Sequence, residues 1–140
     1  MSDKRVAVVT GARRGIGKAA ALALAAAGFR VAVTSSNPGL PVAGARPAAG
    51  LSSTVDAITS AEGEALALPM DLLDRASIDR VVDTVIAQWG HIDVLVNNAI
   101  YQGEKLQRTV MDSDPDMLER VFLGQVVNTT HLTQRVIGAA

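Results

Sequence analysis

One stretch decides the predicted fold: Val-Ala-Val-Val-Thr-Gly-Ala-Arg-Arg-Gly-Ile-Gly, which runs from Val6 to Gly17. It passes from a short β-branched run, through a turn with three glycines, into an alanine- and leucine-rich segment. Such a turn lets the backbone approach a phosphate closely, and the free N–H groups that begin the helix favour negative charge. The stretch therefore predicts a site for the pyrophosphate of a dinucleotide rather than a plain glycine-containing turn.

Outward from this turn, apolar runs alternate with segments that favour helix. The runs are continuously apolar, which is typical of parallel strands that are covered on both faces. Right-handed crossovers then give an α/β fold, a Rossmann-type doubly wound parallel sheet of about four strands with helices on both faces. A flexible loop rich in proline and glycine is predicted over 37–51, within a single domain, 1–140. The predicted strands are Val6–Thr10, Phe29–Thr34, Glu64–Leu72 and Ile92–Val96, and the predicted helices are Ile16–Ala27, Ser53–Ala61, Asp74–Trp89 (capped by Asp74) and Asp116–Gly138.

The composition limits the functions that the chain can have. It holds 140 residues, of which 49% are hydrophobic, with a net charge of -1 and no cysteine. A charge so close to neutral offers no attraction to nucleic acid or to an anionic membrane surface. Without cysteine there is neither a disulfide framework nor a thiolate metal site. We expect a cytoplasmic protein with no metal, no membrane span and no signal peptide.

The glycine spacing differs from the commonest dinucleotide fingerprint. Thr-Gly-x-x-x-Gly-Ile-Gly at 10–17 resembles the cofactor turn of the short-chain dehydrogenase/reductase family, and Asn-Asn-Ala at 97–99 is similar to the family's Asn-Asn-Ala-Gly. The resemblance extends from Val6 to about Val136, and the chain resembles the oxoacyl-thioester reductases of this family. Ile100 replaces the family's glycine and narrows the space beside the nicotinamide ribose. The cofactor contacts expected from the resemblance and from phosphate chemistry are Thr10, Gly11, Arg13, Arg14, Gly15, Ile16, Gly17, Ser35, Ser36, Asp71, Leu72, Asn98 and Ala99.

The end of the second predicted strand bears on the choice of dinucleotide. An NAD site normally places an acid there, which accepts from the ribose 2′-hydroxyl and repels a 2′-phosphate. This chain has Ser35 and Ser36 instead, which can donate hydrogen bonds to phosphate oxygens. Arg14, assisted by Arg13, resembles the basic residue of NADP-preferring members, and a guanidinium pairs well with phosphate. The sequence therefore favours NADP(H) over NAD(H), unless both arginines are merely solvated.

The family resemblance also implies where the reaction chemistry should be. A tyrosine acts as general acid and base, a lysine four residues later lowers its pKa, and a serine binds the substrate oxygen. In the family these residues follow the helix that we predict at 116–138, where this sequence ends, so we expect a chain truncated relative to the family. Tyr101 and Lys105 have the right spacing, but Gly103 lies between them in a predicted loop. We therefore expect Tyr101 to line the substrate side of the cleft rather than to transfer protons.

A second catalytic candidate lies in the last predicted helix. Gln125 stands at the position of the family's helix asparagine, which holds a proton-relay water, and Asn128 follows one turn later. A glutamine keeps the amide but moves it by one methylene. Either residue can equally be a polar side chain of the helix without a part in the reaction.

Two functions remain open from the sequence. The first is an NADP-dependent oxidoreductase that transfers hydride between nicotinamide and a small-molecule carbonyl or alcohol. The second is a truncated, non-catalytic dinucleotide-binding module. We expect this chain alone to be a homo-oligomer or poorly soluble, because the fourth strand would be an apolar edge and the last helix would expose an apolar stripe that, by the resemblance, family members bury in a dimer.

Overall fold

The computed structural model describes residues 4–36, 50–101 and 109–139. Four parallel strands form one sheet in the order β3-β2-β1-β4, and helices cover both of its faces, which confirms the predicted Rossmann-type α/β fold. The strands are β1 (Val6–Val9), β2 (Arg30–Ser35), β3 (Ala65–Pro69) and β4 (Val94–Val96). The helices are α1 (Gly15–Ala26), α2 (Leu51–Ser60), α3 (Arg75–Trp89), α4 (Pro115–Phe122), a π-helical segment (Leu123–Asn128) and α5 (Thr129–Gly138), with a 3₁₀ turn at Val110–Asp112.

The sheet is buried at its centre and half-exposed at its edges. β1 pairs with both β2 and β4, so that Val8 lies beside Ala32 on one side and Leu95 on the other. Every residue of β1 is buried. The apolar run at 92–96 predicted a buried fourth strand, but β4 is only partly covered, as is β3, because each has a single neighbouring strand. Both edge strands are also shorter than predicted.

Alternating side chains divide the core between the two faces of the sheet. Val9, Val31 and Val33 point to one face, where they pack with residues of α1 and α2. Val8 and Ala32 point to the other face, where they pack with residues of α3 and α5. This division places helices on both faces, as the continuously apolar runs predicted.

Helix ends lie within two residues of the predicted ones. Asp74 caps α3 as predicted, since its Oδ1 accepts a hydrogen bond from the Ala76 N–H at 3.1 Å. Of the predicted loop, 37–49 lies outside the described residues, and Leu51 is not loop but the buried first residue of α2. Helix α1 begins at Gly15, one residue earlier than predicted.

The predicted helix at 116–138 differs from the structure in its interior. Helical structure begins at Pro115, but it is α-helical only on either side of the π-helical segment. There the Thr129 hydroxyl donates to the Gly124 carbonyl oxygen five residues earlier, at 2.8 Å. A π-helical turn is rare and is frequently found at functional sites. Among the helices of the described ranges, none combines the length and the apolar character needed to cross a bilayer.

Candidate functional site

A cleft of about 550 Å³ lies at the carboxyl ends of the strands. This is where open parallel sheets bind ligands, beside the point at which the strand order reverses, here between β1 and β4. Its volume is within the range of small-molecule and cofactor sites. The lining residues are Gly11, Arg13, Arg14, Gly15, Ile16, Thr34, Ser35, Ser36, Met70, Asp71, Leu72, Leu73, Asn98, Ala99, Ile100 and Tyr101.

The glycine turn between β1 and α1 forms the floor of the cleft, and its backbone requires glycine. Gly11 and Gly15 have φ angles of +63° and +60°, in the left-handed region that side chains rarely adopt. A Cβ on Gly11 would lie 3.0 Å from the Ala99 Cα. A Cβ on Gly17 would overlap the Gly11 carbonyl oxygen and lie 2.6 Å from the Asn98 amide nitrogen. The glycines thus allow β1, α1 and the segment after β4 to meet closely.

The start of α1 opens into this cleft without a cap. Arg14 occupies the cap position with extended backbone and provides no capping hydrogen bond, and the first turn contains no acidic residue. The initial N–H groups of a helix have no partner within the helix and carry partial positive charge. With Arg13 and Arg14 on the same wall, this region can accept phosphate oxygens. Gly15 leaves open space where a side chain would stand.

Thr10 supports the turn from behind rather than lining the cleft. It is buried, and its Oγ1 accepts hydrogen bonds from the N–H groups of Asn98 and Ala99, each at 3.0 Å. The same hydroxyl donates to the Val96 carbonyl oxygen at 3.3 Å. Thr10 therefore connects β1 to the segment after β4. Gly17 is likewise buried behind the turn, so neither residue lies in the cleft where we expected a cofactor contact.

The end of β2 forms the next part of the wall. The residues Thr34, Ser35 and Ser36 all line the cleft, and none of these three described residues at the strand end is acidic. Sequence reasoning did not select Thr34. Its side chain is fully buried, and among the described residues its Oγ1 has no hydrogen-bond partner. It lies at the last buried position of β2, where its carbonyl oxygen accepts from the Ala12 N–H of the glycine turn at 3.0 Å, and the sequence around it does not signal this placement.

The segment after β3 contributes both predicted residues, Asp71 and Leu72. The Asp71 Oδ1 accepts from the Leu73 N–H at 2.8 Å, so the carboxylate stabilises the turn that follows it. The Ser77 hydroxyl bonds to the main-chain N–H and carbonyl oxygen of Asp71. Met70 and Leu73 line the cleft as well. Nothing in the sequence indicated that Met70 and Leu73 line the cleft, except that they stand next to Asp71 and Leu72.

The segment after β4 closes the cleft on its other side. Ile100 and Tyr101 both line it, and Ile100 is 58% exposed. Lys105, the nominal partner of Tyr101, lies outside the described residues. Gln125 does not line the cleft, because its amide is bound to the main chain of Tyr101: Oε1 accepts from the N–H at 3.0 Å and Nε2 donates to the carbonyl at 3.2 Å. In this arrangement both ends of the amide that we considered for a water relay are engaged.

Resolved pKa shifts lie away from the cleft, between α3 and α5. The pKa of Asp79 is lowered, first by a hydrogen bond from His131 and further by the charges of His131 and Arg135, against the opposing effect of burial. Arg135 has a raised pKa, caused chiefly by its hydrogen bond to Asp83. These side chains connect α3 to α5, so their interactions stabilise the packing of two helices and do not belong to the cleft.

The donor set fits the phosphate groups of a dinucleotide. Residues with backbone N–H groups, two arginines and two serines share one cavity, and among the described residues that line it Asp71 is the only one with a carboxylate. Gly11 and Gly15 provide the close backbone approach that a pyrophosphate needs. In the described ranges, no group of three His, Asp or Glu side chains is placed to hold a metal ion.

Comparison with known proteins identifies a family for this chain. A family model described as short chain dehydrogenase matches residues 5–139. A 3-oxoacyl-(acyl-carrier-protein) reductase of Synechocystis sp. is 40% identical over 95 residues, covering 68% of this chain and 35% of the relative. NADPH-dependent aldehyde reductase 1, chloroplastic, of Arabidopsis thaliana is 35% identical over 133 residues, covering 95% of this chain and 44% of the relative.

The fold also has close counterparts among solved structures. A metagenomic short-chain oxidoreductase in complex with NADP has a TM-score of 0.82 at 30% identity, covering 96% of this chain and 56% of that chain. The first curated relatives are longer than this chain, which spans between 33% and 48% of their length. The similarity thus extends over nearly all of this chain but over about half or less of those relatives.

Proposed function

The chain belongs to the short-chain dehydrogenase/reductase family, and on that premise we propose that residues 1–140 form the dinucleotide-binding domain of an oxidoreductase that prefers NADP(H) to NAD(H). The observation that carries the proposal is that the uncapped start of α1, with Arg14, and the acid-free end of β2, with Ser36, line one cavity. A phosphate that sits between them would meet positive charge and hydroxyl donors. The described residues at the end of β2 include no carboxylate that would repel this phosphate.

Each wall of the cleft would hold a different part of the dinucleotide. The backbone of the glycine turn at 11–17 would bind the pyrophosphate, because its N–H groups begin α1. Arg14 and Ser36 would hold the 2′-phosphate, with Arg13 beside them. Asp71 and Leu72 would border the adenine, and Asn98 and Ala99 would border the opposite side. When bound, the dinucleotide would exchange a hydride with a carbonyl or alcohol carbon of a small-molecule substrate.

The relatives support this choice of chemistry. One is named as an NADPH-dependent aldehyde reductase and another as a 3-oxoacyl-(acyl-carrier-protein) reductase, so both names describe the reduction of a carbonyl group. A solved structure of similar fold holds NADP. These names differ in their substrates, and we therefore propose the carbonyl or alcohol class and no narrower substrate.

We also propose that the protein is a homo-oligomer. Leu118, Phe122 and Val126 follow each other at intervals of four residues and are 47%, 63% and 51% exposed. Residues four apart lie on one face of a helix, so these side chains form an apolar stripe. Covering such a stripe with a second copy would remove apolar surface from water. Cytoplasmic placement stays a prediction from the sequence.

A binding titration tests the cofactor proposal directly. We would follow the fluorescence of NADPH and of NADH on addition of the protein, and we expect the Kd for NADPH to be lower by about tenfold or more. Arg14→Ala should raise the Kd for NADPH by about tenfold and leave that for NADH within about twofold. Arg80→Ala, which removes an exposed arginine of α3, is the matched control. Equal affinity for both dinucleotides, or no binding of either, would overturn the proposal.

A further inference from the structure

Helix α2 carries a hydroxyl group on its buried face. Thr54 is fully covered and shares this face with Leu51 and Ile58, whose side chains are apolar. Burial of a hydroxyl is unfavourable unless it is hydrogen-bonded, and within a helix it commonly donates to a carbonyl oxygen one turn earlier. The Thr54 hydroxyl instead donates across the core to the Ala12 carbonyl oxygen, at 2.8 Å. Helix α2 is thereby hydrogen-bonded to the glycine turn.

The two peptide groups that begin the glycine turn are held in different ways. The first, between Gly11 and Ala12, is bound at both ends. Its oxygen accepts from the Asn98 side chain, and its N–H donates to the Thr34 carbonyl oxygen at 3.0 Å. The second, between Ala12 and Arg13, is bound through its oxygen, whereas its N–H has no hydrogen-bond partner among the residues that the structure describes. The orientation of this second peptide group therefore depends on the hydrogen bond from α2.

This orientation decides where the Arg13 N–H points. The N–H and the C=O of a trans peptide group point in opposite directions, and no described residue has a cis peptide bond. Since the carbonyl oxygen points toward α2, the Arg13 N–H points away from that helix. Arg13 lines the cleft and directly follows Ala12, which is hydrogen-bonded to the end of β2. Arg13 thus stands beside the strand end at which the 2′ position of an adenosine ribose would lie.

We propose that Thr54 is a positioning residue for NADP(H), which turns the Arg13 N–H toward the 2′-phosphate through its hydrogen bond to Ala12. The inference rests on the proposed function, because it assumes that the 2′-phosphate binds between the glycine turn and the end of β2. Thr54 itself is fully buried and is not among the residues that line the cleft. A charged phosphate oxygen gains more from a fixed N–H donor than a neutral 2′-hydroxyl does. Loss of the Thr54 hydroxyl should therefore reduce the preference for NADPH over NADH.

NADPH and NADH differ only in the 2′-phosphate, so their affinities test the proposal. We would measure both Kd values by fluorescence titration for the wild type and for Thr54→Val, which keeps the shape of the side chain and removes the hydroxyl. We expect Thr54→Val to raise the Kd for NADPH by about fivefold to tenfold and the Kd for NADH by less than about twofold. Thr54→Ala removes the same hydroxyl with a smaller side chain and should have the same effect. Thr54→Ser keeps the hydroxyl and should retain the wild-type preference for NADPH.

Thr59→Val is the matched control. Thr59 lies on the exposed side of α2, where its hydroxyl donates to the Val55 carbonyl oxygen of the same helix at 3.0 Å. This variant makes the same substitution in the same helix without a contact to the glycine turn, and we expect it to change neither Kd. All titrations would be run at a temperature at which circular dichroism shows every variant to be folded.

An amide signal reports on the Arg13 N–H itself. In protein labelled with ¹⁵N, adenosine 2′-monophosphate should shift the amide proton of Arg13 downfield in the wild type and in Thr54→Ser, because the N–H then donates to a phosphate oxygen. The shift should be much smaller in Thr54→Val. Adenosine 5′-monophosphate, which lacks the 2′-phosphate, should leave the signal nearly in place in all three proteins.

The outcomes separate this inference from the proposed function. If the wild type binds neither dinucleotide, or binds NADPH no more tightly than NADH, the proposed function fails and this inference fails with it. If the wild type prefers NADPH and Thr54→Val keeps that preference, the inference alone is overturned. Equal weakening of both dinucleotides by Thr54→Val would also overturn it, since that result is expected of a residue that only supports the turn. The same holds if adenosine 2′-monophosphate binds the wild type and leaves the Arg13 amide signal in place.

Discussion

Asn98 holds Gly11 in place across the junction of β4 and β1: its side-chain Nδ2 donates to the Gly11 carbonyl oxygen at 3.1 Å. The same nitrogen donates to the Thr10 carbonyl oxygen at 3.2 Å. The left-handed backbone of Gly11 is thus fixed by a side chain 87 positions later in the sequence. The shape of the phosphate-binding turn therefore depends on the segment after β4 as well as on the glycines.

Removal of this side chain should destabilise the protein. Asn98→Ala leaves the partly buried carbonyl oxygens of Thr10 and Gly11 without these donors, and we expect the free energy of unfolding to fall by about 1–3 kcal/mol. Urea unfolding would measure it. Asn97→Ala is the control, because Asn97 is exposed and makes one hydrogen bond, to Thr133. Equal losses in the two variants would contradict this role for Asn98.

Gly17→Ala should disturb the turn more severely than its small size suggests. The added Cβ would overlap the Gly11 carbonyl oxygen, so that either α1 or the turn must move. We expect a loss of about 1–3 kcal/mol in unfolding free energy and weaker NADPH binding, measured by thermal unfolding and by fluorescence titration. Gly138→Ala has open space around its Cβ and should be neutral or stabilising by about 0.5–1 kcal/mol. The prediction fails if both variants unfold at the same temperature.

Ser36→Asp should shift the preference between dinucleotides. A carboxylate at the end of β2 would repel a 2′-phosphate and accept a hydrogen bond from a 2′-hydroxyl. We expect the Kd for NADPH to rise by about tenfold or more and the Kd for NADH to stay level or fall. Ser60→Asp adds the same charge at the far end of α2 and should change neither. Unchanged NADPH affinity in Ser36→Asp would place the 2′-phosphate elsewhere.

Stability should depend on pH through Asp79. Hydrogen bonding from His131 and the charges of His131 and Arg135 lower its pKa in the folded protein below the ordinary value of 3.8. A carboxyl group with a depressed pKa stabilises the fold above its unfolded-state pKa, and this contribution is lost as the pH falls through the folded-state pKa. The difference in unfolding midpoint between the wild type and Asp79→Asn should therefore narrow below pH 3.8. For Asp56→Asn, an exposed control on α2, we expect the difference in unfolding midpoint from the wild type to stay constant with pH. If the difference for Asp79→Asn is also constant, the hydrogen bond between His131 and Asp79 does not contribute to stability in this way.

Phe122→Lys should weaken self-association. It places a charge in the middle of the stripe formed by Leu118, Phe122 and Val126, where a second copy would have to bury it. Sedimentation should show a smaller average mass for this variant than for the wild type at the same concentration. Ala26→Lys adds the same charge to the exposed end of α1 and should leave the mass unchanged. A wild type that is already monomeric would refute the oligomer proposal.

Much of the site could be predicted because its signals are local. The glycine turn can be recognised from its residue types, since left-handed φ angles and close backbone approach both favour glycine. Two further signals come directly after apolar runs that predict strands: Ser35 and Ser36 after the second run, and Asp71 after the third. Because the carboxyl ends of parallel strands meet at one edge, these separate segments could be assigned to one cleft before their distances were known.

Other parts could not be predicted, because they depend on contacts between distant segments. Nothing in the sequence around Gln125 shows that its amide faces the Tyr101 main chain, 24 residues earlier. The π-helical segment is also invisible in a pattern of apolar residues that fits an ordinary helix. Thr34 was missed because its position in front of the turn depends on a contact between distant segments, the hydrogen bond from the Ala12 N–H to its carbonyl oxygen, and not on its neighbours in sequence.

The sequence by itself determined the alternation of strands and helices, the glycine turn and the absence of an acid at the β2 end, because each depends on residue type within a few positions. Tertiary structure alone decided that Asn98 fixes Gly11 and that Gln125 fixes Tyr101. The physical reason is that a hydrogen bond requires donor and acceptor within about 3 Å, and only the packed sheet and helices bring such distant residues so near.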